Sequence, residues 1–143
     1  MRLDEVQLQL PYELIPANAP RFAEDITAQG GARGVGLDYS ADSIAYFDSV
    51  IESLRANNVT VAQVAEVLFG LGCFVGEAIV RATGGHWRPA AGTSLAKTSP
   101  FPIVVLLPDG RLCDPAAQPF RTFERGASAS LSAFFATWTT PAP

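Results

Sequence analysis

Residues 61–83 run VAQVAEVLFGLGCFVGEAIVRAT, and the reading of this stretch decides the fold. Thr60 and Gln63 fit a capping box, in which the threonine caps forward and the glutamine reaches back. Val64, Val67, Leu68, Leu71, Phe74, Val75 and Ile79 then recur on more than one face of a helix. Gly84-Gly85 supplies the stop. At 1.5 Å per residue the helix is roughly 34 Å long. Apolar on several sides, it belongs at the centre of a core. Length and hydropathy alone also suit a bilayer, which about 20 apolar residues cross. Gln63, Glu66 and Glu77 argue against that, because acidic groups are costly in lipid. Gly70, Gly72 and Gly76 each cost up to about 1 kcal/mol relative to alanine. Three such penalties predict a neighbour approaching closely, or a kink.

Working outward, residues 41–56 carry Ile44, Phe47, Ile51 and Leu54 at helical spacing, with Asp48, Glu52 and Arg55 on the other faces. Ser40 caps this helix and Asp42 complements its dipole. Asn57-Asn58 turns the chain. Further upstream, Val6, Leu8 and Leu10 alternate with Gln7 and Gln9, the period of a short strand. A helix over 20–29 starts at Pro20, buries Phe22 and Ile26, and stops at Gly30-Gly31. Residues 30–36, GGARGVG, form a flexible connector. They lack the Lys-Ser/Thr of a P-loop, so no phosphate cradle is read there.

Downstream of residue 83 the period changes. Residues 86–88 read as a short strand, followed by a loop to Pro100. Residues 101–107 form a strong strand around Ile103-Val104-Val105-Leu106-Leu107. Pro108-Asp109-Gly110 turns the chain and 111–113 return as the partner. Two short helices follow, 119–125 and 128–138, the second with Leu131, Phe134, Phe135 and Trp138 at helical spacing. Residues 139–143 read as a frayed tail. The fold class is α+β: a long central helix and a preceding helix packed on a small, mainly antiparallel sheet, with short C-terminal helices. All 143 residues make a single domain. It divides into an N-terminal strand, helix and loop (1–36), a helix pair (37–85), the sheet (86–113), the C-terminal helices (114–138) and the tail.

Charge and cysteine content narrow the function classes. The net charge is −4, and the basic residues, nine arginines and Lys97, are scattered. Nucleic-acid binding draws its affinity from clustered cations, so no nucleic-acid partner is expected. Cys73, Cys113 and the one histidine, His86, make no metal-ligand spacing. No metal or cofactor is read. The first ten residues do not resemble a signal peptide. A cytoplasmic protein with reduced thiols is the expectation, although a Cys73–Cys113 disulfide stays open.

A series of short motifs then comes into view. It comprises Leu37-Asp38-Tyr39-Ser40, Ser43, Asp48 and Ile51, then Leu71-Gly72-Cys73-Phe74-Val75-Gly76-Glu77 and Gly84-Gly85-His86-Trp87. Pro119-Phe120, Arg125-Gly126, Ser130-Leu131 and Phe134-Phe135 complete it. The series resembles the LDYS, LGxxxGE, GGxW, PDG pattern of small bacterial domains of unknown function, over residues 37–136. The resemblance implies a compact fold of a helix pair and a sheet, and brings no activity or catalytic residue with it.

Six residues are candidates for binding: Asp38, Tyr39, Glu77, His86, Trp87 and Arg88. Glu77 stands inside an apolar helix, where an ionised carboxylate must be paired or hydrogen-bonded. It is either an acid, base or ligand anchor, or a structural partner of Arg81, Arg88 or loop N–H groups. His86 must carry any histidine chemistry, and it also suits a capping place beside the helix C-terminus. Asp38 can bond loop N–H groups. Cys73 is expected to be an inert buried thiol. No catalytic constellation is read, because Ser94, Ser99 and Ser130 lack a nucleophile elbow. The leading expectation is a non-enzymatic protein-binding module of the immunity or accessory type. The alternatives are a small-ligand-binding or enzymatic domain with a pocket near Glu77, His86 and Trp87, and a homo-oligomeric structural protein using the C-terminal helix. No membrane partner is expected.

Overall fold

The computed structural model describes residues 8–142. The helices are α1 (Ala19–Ala32), α2 (Ala41–Ala56), α3 (Val61–Thr83), α4 (Gln118–Arg125) and α5 (Leu131–Thr139). The strands are β1 (His86–Pro89), β2 (Ile103–Leu106) and β3 (Leu112–Cys113), in one antiparallel sheet ordered β1-β2-β3. The α+β class is as read from the sequence.

Local caps set the ends of α2 and α3. The Ser40 hydroxyl accepts from the Ser43 N–H at 3.3 Å. Thr60 and Gln63 form the reciprocal box, at 3.3 and 2.8 Å. Gly84 closes α3 with φ of +80°, a left-handed conformation that glycine adopts without strain. From Ala65 to Ile79 only Glu66 and Val67 are exposed, so α3 is the core helix its composition predicts. It is long and apolar enough to cross a membrane, and 78% of its most apolar window is buried within the fold.

The glycines of α3 admit its neighbours. A Cβ on Gly70 would lie 2.8 Å from Ile26 Cδ1 of α1. On the other side, a Cβ on Gly72 would lie 2.7 Å from Ala116 Cα and from the Pro115 carbonyl oxygen. Gly76, one turn on, faces the Trp87 ring and Pro115. Close approach, the first of the two expected explanations, is what these glycines serve. Helix α1 packs along α3, and α2 packs chiefly on α4 and α5 while reaching α3 through Phe47 and Phe74, ring centroids 4.8 Å apart. Phe22, Phe69, Phe101 and Phe120 form a chain of ring contacts at 5.1, 5.2 and 5.4 Å, joining α1, α3, the approach to β2 and α4.

Several expected boundaries move. Gly30-Gly31 does not stop α1, which runs on to Ala32, with Gly34 (φ +79°) beyond it. Leu37 folds back over Gly30, which has no side chain to block it, and the Val35 N–H bonds the Gly30 carbonyl at 2.8 Å. Residues 30–32 thus belong to the helix rather than the connector. The expected N-terminal strand falls partly on Val6 and Gln7, outside the described residues, and residues 8–10 pair with no strand. Strand β2 is shorter than 101–107, because Pro102 has no N–H for the ladder and Phe101 lies in a bend. Only Leu112 and Cys113 of the return strand pair with it. Residues 126–129 form a 3-10 turn, and α5 begins only after Ser130, an extended N-cap that accepts from the Ala133 N–H. Helix α5 runs to Thr139, one residue into the expected tail.

Candidate functional site

Glu77 lies on the α3 face that meets β1. Its side chain is 11% exposed. Trp87 donates its indole N–H to Glu77 Oε1 at 3.3 Å, and Arg81, one turn along α3, places Nε 3.3 Å from Oε2. The i,i+4 partner named from sequence is present, and Arg88 is not a partner. The Arg88 Nε donates instead to the Pro89 carbonyl at 3.4 Å. The guanidinium of Arg81 in turn sits 4.0 Å from the centre of the Tyr39 ring, which stacks on Phe74 at 4.3 Å.

Tyr39 holds φ of +61° without being glycine, a conformation of limited occupancy for a bulky residue. Its neighbours fix it there. Asp38 Oδ1 accepts from the Ser40 N–H at 3.2 Å and the Ser43 hydroxyl at 3.0 Å, and the Ser43 Oγ accepts from the Asp38 N–H at 3.1 Å. These bonds from Ser40 and Ser43 hold the Asp38 carboxyl below the usual carboxylate range. Burial pushes the Tyr39 phenol up.

Of the expected trio, Glu77 and Trp87 meet and His86 does not join them. Successive strand residues face opposite ways, and Trp87 turns toward α3. His86 is exposed and Arg88 half-buried on the other face. Cys73 and Cys113 are both free and buried. Burial pushes the Cys73 thiol well up and Cys113 up to about 12, so neither is a thiolate near neutrality. Among the described residues, no three His, Cys, Asp or Glu side chains gather where they could hold a metal ion.

Two further arrangements were not singled out from the sequence. The first is on α2. Asp48 accepts from the Leu131 N–H at 2.7 Å, the Ser132 N–H at 3.0 Å and the Ser132 hydroxyl at 2.7 Å, capping α5 from a distance. Arg55, two turns further, donates to the Phe123 carbonyl in the last turn of α4 at 2.6 Å. Its Nε lies 3.3 Å from Glu52 Oε2, an ion pair without hydrogen-bond geometry. An acid thus meets a helix N-terminus and a base meets a helix C-terminus, both matched to the helix dipole. Their i,i+7 spacing was the available signal. The open cleft beside them, about 440 Å³, includes Asp48, Glu52, Arg55 and Arg125 in its walls.

The second is an apolar groove between α1, α2 and α3. Tyr46 is 42% exposed and Val67 41%. Both line a hollow of about 80 Å³ floored by Ile26, Phe47 and Leu71. It adjoins a second, of about 140 Å³, and shares Ile26, Gln29 and Val67 with it. Val67 counts toward the core in the sequence reading; here it is at the surface. No protein-family model, curated protein or solved structure matches the chain.

Proposed function

We propose that the chain is a non-enzymatic protein-binding module, of the accessory or immunity type that acts by occupying a partner protein. The observation that carries this reading is the groove. Two of the three exposed large apolar side chains among the described residues, Tyr46 and Val67, come from different helices and line the same hollow. Apolar surface gathered in one concave place favours a partner more than the same residues scattered singly. The polar candidates support the reading from the other side. Glu77 is engaged by Trp87 and Arg81, and Asp38 by its own loop.

Affinity capture with the parent chain and with Tyr46→Glu/Val67→Glu as baits tests it. A partner retained by the parent and lost by the double variant, with unchanged circular dichroism and unfolding midpoint, is the expected result. Equal capture by both baits, or by neither, overturns it.

A further inference from the structure

Resting on that reading, we infer that the groove takes an apolar segment of a partner protein that carries an acidic and a basic side chain about 12 Å apart. The groove is charged at its ends and, Gln29 apart, apolar between them. Arg33, just past the C-terminus of α1, lines one hollow. No hydrogen bond or ion pair reaches its guanidinium from the described residues. Asp25 and Glu66 line the other hollow. Among the described residues each is engaged by a neutral donor, Asp25 by the Tyr12 hydroxyl at 3.1 Å and Glu66 by the Gln9 N–H at 3.3 Å. Both carboxylates keep acceptor capacity for a cation.

Helix α1 sets the spacing. Asp25 and Arg33 are eight residues apart, which at 1.5 Å per residue is about 12 Å. A helical partner segment meets both ends with an acid and a base about eight residues apart. An extended segment does so at about four, given roughly 3.3 Å per residue. The apolar side chains between them fill the space beside Tyr46 and Val67. Charge at the rim selects and orients the segment, and the apolar floor supplies burial.

A phage-displayed library of random 16-residue peptides, selected on the full folded chain, tests this. The enriched peptides are expected to carry an acid and a base at one of those spacings around large apolar residues. Their affinity should fall at least tenfold on Arg33→Glu. Replacing the peptide's acid with lysine should then restore binding to Arg33→Glu. Peptides lost on Tyr46→Glu but indifferent to Arg33→Glu overturn the charge assignment and leave the protein-binding reading standing. Peptides indifferent to Tyr46→Glu and Val67→Glu, or no enrichment, overturn both. A parent chain that dimerises in light scattering, with Tyr46→Glu monomeric, makes the occupant a second copy and overturns the inference.

Discussion

Replacing Gly72 with alanine puts a methyl group where the 115–116 backbone already lies. The new Cβ would stand 2.7 Å from Ala116 Cα, 2.7 Å from the Pro115 oxygen and 2.8 Å from the Ala116 oxygen. Ordinary contact begins at 3.4 Å, so the turn must retreat by 3.4 − 2.7 = 0.7 Å. It cannot do so freely. Pro115, Ala116 and Ala117 are buried, and Asp114 is held by Arg121 at 2.8 and 3.2 Å. Overpacking of this kind costs about 1–3 kcal/mol, and backbone opposition places it at the upper end. Alanine returns about 1 kcal/mol of helix propensity. The expected net loss is about 2 kcal/mol, or roughly 5–8 °C in Tm for a chain of this size. Gly31→Ala is the control, being helical with nothing within 4 Å of the new methyl. It should gain up to about 1 kcal/mol. Urea unfolding followed by circular dichroism, with the slope checked for constancy, reads both. A Gly72→Ala chain as stable as its parent, beside a stabilised Gly31→Ala, refutes the tight contact between α3 and the turn.

Other substitutions probe the remaining contacts. Glu77→Ala leaves the Trp87 N–H without its acceptor, and a hydrogen bond to a charged group contributes about 1.5–3 kcal/mol. Arg81 is more than half exposed and adds little. Glu77→Gln keeps an acceptor and should lose about 1 kcal/mol; equal damage from both variants, measured by urea unfolding, argues against the indole bond. Asp48→Ala removes the acceptor of the first two α5 amides, leaving the Ser130 cap, and should cost about 0.5–2 kcal/mol. Amide exchange should accelerate in α5 and leave α3 unchanged. Asp38 has a lowered folded-state pKa, so its contribution is full above the ordinary value of 3.8 and is lost as pH falls through the folded value. The stability gap between the parent and Asp38→Asn should therefore close in acid; a gap that widens there contradicts the bonding described.

Local chemistry was readable and remote packing was not. The ends of α2 and α3 follow from Ser40, Thr60, Gln63 and Gly84, each acting within a turn of the helix it bounds. The Gly30-Gly31 stop failed because Leu37, folding back from the loop, packs over a helix that propensity alone ends sooner. Arg81 could be named as a partner of Glu77 from its i,i+4 spacing. Trp87 could not, since its approach depends on where Gly76 leaves room. An all-round apolar pattern does not say which face stays uncovered, so it places Val67 in the core although the residue is exposed. Asp48 and Arg55 looked like solvated decoration, since the backbone groups they bind lie 83 and 68 residues away along the chain.

That last separation has a bearing on synthesis. Helix α2 leaves the ribosome before α4 and α5, which carry the carbonyl and amide groups that match its base and acid. Until those emerge, Asp48 and Arg55 lack these partners, while Phe47 can already meet Phe74 of α3. The entropy of closing such long loops is met only once α4 and α5 arrive. A nascent chain halted before residue 131 should therefore hold α2 more loosely than one that includes α5.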